Sequence, residues 1–190
     1  MGMASGYDLG TYERFVGTLC TTGYKGHIIL GVSPAVNQNV LDYFAYRNVM
    51  ANILKWVPCT YKDDSKKSDI FRETTCADPY PDIKIQWSRF PLARNWLAEC
   101  KTFTGPVLVM DVRDSIFQLD PFGPGLPVVT GLQVFEERKN QTTLHWLTKG
   151  PIFGCKSVMY NDTMYCSRTT IGTRAAMLKY LELMYGEMKE

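Results

Sequence analysis

Apolar residues recur at three- and four-residue intervals in four stretches of the chain, and short unbroken apolar runs separate them. Between Thr11 and Thr21, Tyr12, Phe15, Val16 and Leu19 fall on one stripe, the spacing of a short helix with one buried face. Gly23-Tyr-Lys-Gly26 then breaks the pattern. Such a segment is open to two readings, a phosphate cradle or a glycine-containing turn from helix to strand, and the turn is the commoner explanation. His27 to Val32 is a run rich in β-branched residues, which predicts a strand buried on both faces. Val40 to Trp56 returns to helical spacing through Leu41, Phe44, Ala45, Val49, Ile53 and Leu54, so a second helix is expected there.

From Tyr61 to Pro81 the chain turns polar, with Lys62-Asp-Asp-Ser-Lys-Lys-Ser-Asp69 followed by Asp78-Pro-Tyr-Pro81, and Cys59 and Cys76 bracket the loop. This reads as an exposed, solvated loop insertion. Trp87 to Cys100 predicts a third helix, with Phe90, Leu92, Trp96 and Leu97 buried and Pro91 near the first turn. Beyond Gly105-Pro106, Val107 to Met110 reads as a buried strand and Leu126 to Phe135 as another. Ile152 to Tyr160 and Met164 to Cys166 flank Asn161-Asp162 as a hairpin. Thr173 opens a final helix carrying Ala176, Met177, Tyr180, Leu181 and Met184 on one stripe. Helices alternating with apolar strands predict an α/β fold, and 190 residues fit one domain spanning 1–190.

Composition narrows the classes without choosing among them. With 45% apolar and 21% charged residues, the chain has a globular composition. A formal net charge of +2 without a long basic run lacks the footprint of a nucleic-acid binder. No stretch approaches the ~18 to 20 apolar residues of a bilayer span, so no direct membrane span is expected, and Met1 to Gly6 lacks the layout of a signal peptide. The six cysteines lack paired C-x-x-C spacing, which leaves disulfides or buried thiols rather than a zinc site. Two sequons, at Asn140 and Asn161, suit a glycoprotein of the secretory lumen, in the Golgi or ER. In an oxidising lumen the hairpin about Asn161-Asp162 would bring Cys155 and Cys166 close enough to bridge.

The candidate chemistry lies where an apolar strand ends in acids. Ligands of open α/β sheets bind beyond the carboxyl ends of the strands, and Asp111 directly follows the Val107 to Met110 run. Asp114, three residues on, can face the same space, and two carboxylates there suit a hard divalent cation. The structural alternative is a loop whose acids cap a helix or pair with Arg113. Phosphotransferases that place D-x-D after a strand are disfavoured, because Arg113 occupies the position of their second acid.

Asp111-Val-Arg-Asp-Ser-Ile-Phe-Gln118, followed by Asp120-Pro-Phe122, resembles the D-x-R-D-x-x-F-Q-x-D-P-F stretch of a family of GT-A-type glycosyltransferases found in plants and microbial eukaryotes. Gly23 to Gly31, Trp87-Ser-Arg-Phe90, Phe135-Glu-Glu137 and Cys166-Ser-Arg-Thr-Thr-Ile-Gly172 are similar to the same family in the same order. The resemblance implies a three-layer α/β/α sandwich with a mainly parallel central sheet. It also implies metal-dependent transfer of a sugar from a nucleotide-diphosphate donor to an acceptor hydroxyl. The alternative is an inactive nucleotide- or glycan-binding domain.

By that resemblance Asp114 is the first metal ligand, for manganese or magnesium. Asp111 would reach the metal through water or hold the donor ribose, and Arg113 would neutralise phosphate or pair with an acid of its own loop. The first strand of such folds lines the nucleotide, which puts Ala4 to Tyr7, and Tyr7 as donor ligand, near the base. Thr169 and Thr170 are candidates for sugar hydroxyls or for capping the last helix. The chain departs from the family at Arg168, where glycine is usual after Cys-Ser; a turn there would have to make room for the larger side chain. His27 reads as structural, and His145 beside Trp146 as part of a packed segment. No acid is assigned as catalytic base, Glu136 and Glu137 included. Relatives continue past the last helix, so a C-terminally incomplete domain is expected.

Overall fold

The computed structural model describes residues 1–60, 75–136 and 165–189, with side chains from residue 169 onward in the last stretch. Asp8 starts the first helix by accepting from Thr11 N at 2.9 Å, which satisfies one of the helix's unpaired N–H groups. This helix, α1 (Leu9–Thr21), follows a short strand, β1 (Gly2–Ala4). Gly23, at φ +86°, ends α1 in the left-handed conformation that a side chain resists. The predicted stripe of Tyr12, Phe15, Val16 and Leu19 is buried against the strands. Burial of side chains this size stabilises by roughly 1.5 to 3 kcal/mol each.

The strand predicted from His27 is β2 (Ile28–Val32), buried at all five residues. The helix expected from Val40 to Trp56 is only the short α2 (Gln38–Tyr46), and the rest of that segment is β3 (Val49–Ile53). Asn48 marks the change, at φ 54°. Asn tolerates this left-handed conformation and so stops a helix. Beyond it, the exposed edge of β2 offers five backbone pairs, from Ile28 with Val49 to Val32 with Ile53. Val49 and Ile53 share helical spacing, but their branched side chains favour a strand once that edge is free.

The supposed loop from Tyr61 to Pro81 also needs correction in its described part. β4 (Trp56–Pro58) and β5 (Thr75–Ala77) pair antiparallel, and Cys76, Ala77 and Tyr80 are buried rather than exposed. Residues 61–74 lie outside the described part. A disulfide between Cys59 and Cys76 closes the base of this hairpin, across a sequence separation of 17. The Cys155–Cys166 bridge expected from the sequence falls outside the described side chains.

Closing a loop of this size stabilises by about 3 kcal/mol in the chain-entropy model. Reduction, or Cys76→Ser, is therefore expected to lower the melting temperature by about 6 to 12 °C. Scanning calorimetry of the oxidised and reduced protein checks this. Equal melting temperatures would mean that the bridge does not hold the hairpin.

The third helix, α3 (Ile85–Glu99), begins two residues before the expected Trp87, so Pro91 is its seventh residue rather than its fifth. Pro91 deprives the Trp87 carbonyl of its helical donor. The helix is buried on two sides, by Phe90, Ala93 and Leu97 against one cluster and Leu92 against another. Next come β6 (Val107–Met110) and β7 (Leu132–Glu136), the latter shorter than the predicted Leu126 to Phe135. Pro127 lacks the N–H that a ladder needs. β8 (Tyr165–Gly172) leads into α4 (Arg174–Glu187), which Thr173 caps through Ala176 N at 3.3 Å.

Two three-stranded sheets result, a parallel one ordered β1-β2-β3 and an antiparallel one ordered β6-β8-β7. Their edges meet at residue 1. The Met1 amino group donates to the Leu108 carbonyl at 2.7 Å, and Met110 N donates to the Met1 carbonyl at 3.1 Å. Donation to residue 108 and acceptance from 110 is the pattern of a parallel pair, so β6 runs alongside β1. The strands therefore follow one another as β3-β2-β1-β6-β8-β7, with β8 alone reversed among them. α1 and α2 cover one face through Phe15, Val16, Val40 and Phe44. α3 and α4 cover the other through Phe90, Leu97, Met177 and Leu181. The architecture is mixed α/β with four helices among the described residues.

Candidate functional site

From β1 the chain steps outward through β2 to β3, then returns to place β6 on the other side of β1. Strand order reverses at β1 and β6, and the crevice beyond the carboxyl ends of such a strand pair is where open α/β sheets bind ligands. Ser5 to Asp8 leave β1 at this edge, and Asp111 to Asp114 leave β6. The two exits are held close. A Cβ on Gly2 would stand 2.7 Å from Val112 Cγ2 and 2.9 Å from the Met110 carbonyl oxygen, so only glycine lets β1 approach this turn. Tyr12 donates its hydroxyl to the Ala4 carbonyl and fixes the end of β1. Burial pushes the pKa of this phenol up to about 12, so it remains a donor across the working pH range.

The β6 exit is a tight turn with its own supports. Ser115 Oγ donates to the Asp111 carbonyl at 2.6 Å, and Val112 is fully buried among the residues under α1. Asp111 is consequently half-buried, while Arg113 and Asp114 face solvent. Arg113 donates from Nε to Asp114 Oδ1 at 3.1 Å and from Nη2 to Oδ2 at 3.3 Å. This two-pronged pair holds the guanidinium pKa above its ordinary value, aided by the nearby Tyr7 and Asp111. Four of the sequence candidates thus come together: Tyr7, Asp111, Arg113 and Asp114.

Further along the motif, the aromatics attach the loop to α1. The Phe117 ring meets Phe15 edge-on with centroids 5.3 Å apart, and Phe117 N donates to Thr18 Oγ1 at 3.1 Å. Asp120 Oδ1 accepts from Phe122 N at 2.9 Å, a local turn that sets Phe122 beside Tyr24 at 6.1 Å. Asp120 is therefore a turn former in this structure.

The threonines divide. Thr169 pairs in register with Met110, the residue before Asp111, and is partly exposed. Thr170 pairs with Val109 and is 2% exposed, so its hydroxyl lies inside the fold with no surface to offer a sugar. Neither caps the last helix, since Thr173 does. Cys166 to Gly172 lies in β8 rather than in a turn, and Arg168 belongs to that strand. Glu136 is exposed at the end of β7. Glu137, His145, Cys155 and both sequons lie outside the described residues.

An all-oxygen pair of carboxylates fits a hard cation, which completes its shell with phosphate and water. Asp111 and Asp114 would hold it. Among the described residues no three of His, Cys, Asp and Glu form a metal-holding group, so substrate oxygens would have to supply the remaining positions. Arg113 is the matching donor for phosphate.

A cavity of about 520 Å³ lies elsewhere, lined by Tyr24, His27, Phe103, Leu108, Phe117 and Phe122 among others. It is lined by Ile28 and Ile29 of β2 and by Val107, Leu108 and Met110 of β6, and none of Tyr7, Asp111, Arg113, Asp114 or Thr169 lines it. His27, expected to be structural, is exposed there and meets Phe103 at 6.4 Å. The cavity volume and the convergent charges therefore lie apart, and the charged exit of β6 is the candidate that the sequence also offered.

Gly2 was missed as a site residue. A glycine in the strand beside the acidic exit was the available signal, but only the β1–β6 neighbourhood gives it meaning. No described helix is long and apolar enough to cross a membrane. Comparison of the chain with protein-family models, with curated proteins and with solved structures found no match in any of the three.

Proposed function

We propose that this chain is the nucleotide-sugar-binding part of a GT-A-type glycosyltransferase, a three-layer α/β/α domain that moves a sugar from a nucleotide-diphosphate donor to an acceptor hydroxyl. One observation carries the reading. Asp111 and Asp114 leave β6 at the strand-order reversal, with Tyr7 and Arg113 alongside. The parallel order β3-β2-β1-β6 supports it further, because ligands of such open sheets bind beyond the carboxyl ends of the strands where their order reverses.

A bound divalent cation, manganese or magnesium, would offset the charge that grows on the departing diphosphate. The residues of the chain do the rest. Asp114 and Asp111 would hold the cation, Arg113 would donate to phosphate oxygens, and Tyr7 would lie against the nucleoside. Of the two candidate threonines, Thr169 would offer its surface to the donor, and the buried Thr170 would not. The Cys59–Cys76 bridge accords with maturation in an oxidising compartment such as the secretory lumen. A second reading, an inactive nucleotide- or glycan-binding domain, is favoured by the engagement of Asp114 with Arg113.

The test is thermal. Manganese and a nucleoside diphosphate added together are expected to raise the melting temperature by more than the sum of their separate effects. At concentrations a hundred times the dissociation constant the gain is about 2.7 kcal/mol, or roughly 5 to 11 °C. Asp114→Asn should remove the excess and leave the unliganded melting temperature unchanged, since the carboxamide keeps the shape and gives up the charge. An excess that survives in Asp114→Asn, or never appears in the parent, would place the metal elsewhere and favour the binding-only reading.

A further inference from the structure

Arg113 and Asp114 are adjacent in sequence, yet they meet through two donors of one guanidinium and both oxygens of one carboxylate. Their side chains are 60% and 53% exposed. This places the carboxylate expected to bind a cation, and the cation expected to bind a phosphate, in each other's grip. A solvent-exposed pair of this kind is weak, because water competes for both partners. A diphosphate also accepts the guanidinium fork through two oxygens and carries more negative charge than the carboxylate.

Resting on the reading proposed above, we infer that Arg113 is a latch on the metal site: it holds the Asp114 carboxylate until a diphosphate arrives, then exchanges it for phosphate oxygens and releases Asp114 to the cation. Asp111 does not share the latch in the same way, as its turn is set by Ser115 and the buried Val112. Diphosphate and metal therefore assist each other twice, once by bridging directly and once through Arg113. By linkage the assistance is reciprocal, so each tightens the other by the same factor.

The distinguishing variant is Arg113→Lys, which keeps the positive charge and loses the fork; Arg113→Gln removes both. Arg113 is exposed and outside every apolar cluster, so neither change bears on folding. Manganese affinity is measured by calorimetry on the full chain, alone and with inorganic pyrophosphate, the part common to every donor.

For manganese alone, both variants are expected to bind about 2- to 5-fold tighter than the parent, the scale of an exposed ion pair. With pyrophosphate present, both should gain less from it than the parent does. If Arg113→Gln tightens manganese binding but Arg113→Lys matches the parent, plain charge repulsion explains the effect and the latch is overturned. The same holds if neither variant changes it. If pyrophosphate fails to tighten manganese binding in the parent, and Asp114→Asn behaves like the parent, the metal site itself fails and takes the latch with it. If coupling is intact in the parent but undiminished in both Arg113 variants, the site stands and only the latch falls.

Discussion

Phe90→Ala is expected to destabilise the fold by about 3 to 5 kcal/mol, lowering the melting temperature by roughly 6 to 20 °C. Phe90 is 1% exposed and sits where α3, α4 and β6 meet, among Ala93, Leu97, Val107, Val109, Met177 and Leu181. Trp87 stacks against its ring at 6.2 Å, and Tyr180 meets it edge-on at the same distance. Truncation removes the transfer energy of the ring and leaves a void that a helix containing Pro91 is poorly able to close. The consequence reaches the site, because Val107 and Val109 seat the strand that ends at Asp111. Denaturant titration gives the measurement, and a loss under 1 kcal/mol would show that the surrounding side chains collapse into the space.

The helices were legible where a single buried stripe sufficed. Tyr12, Phe15, Val16 and Leu19 in α1, and Met177 and Leu181 in α4, are buried as their spacing predicts. The mixed α/β class followed from the same alternation. β3 was not legible, because Val49 and Ile53 satisfy helical and extended spacing alike, and the choice depends on the open edge of β2. β1 was beyond reach for another reason. Three residues, Gly2 to Ala4, carry no period at all, and the strand exists through its pairs with Leu30, Gly31 and Val32.

The candidate residues were readable in the sequence, but their arrangement was not. An acid after an apolar strand is a local signal, and Asp111 and Asp114 gave it. Their proximity to Tyr7 depends on contacts such as that between Met1 and Leu108, 107 residues apart, which no local pattern encodes. Thr170 went the other way. Adjacent strand residues face opposite sides, so Thr169 and Thr170 could not both reach one ligand, and β8 turns Thr170 inward. The motif itself divides by role: Val112, Phe117 and Phe122 pack, Asp120 and Ser115 make turns, and the polar residues between are left at the crevice.

That division makes Asp114→Ala the sharpest functional test. Since Val112, Ser115 and Phe117 hold the turn and Asp114 is exposed, the variant should fold as the parent does. Under the proposed function Asp114 is the principal ligand of a metal that stabilises the leaving diphosphate by several kcal/mol of barrier, so the variant is expected to slow donor turnover by about 10² to 10³-fold. The assay is manganese-dependent hydrolysis across a panel of nucleotide sugars, each read with and without chelator. Asp111→Ala should reduce the same rate, and Asp120→Ala should act only through loop order, since its carboxylate is turned to Phe122 N. Arg113→Ala divides the effects in the opposite sense, freeing Asp114 for metal while weakening the hold on phosphate, so its loss should appear mainly as a raised KM. Turnover that is chelator-sensitive but unchanged in Asp114→Ala would remove Asp114 from the metal site, and turnover absent from the parent with every donor would leave nucleotide or glycan binding as the function.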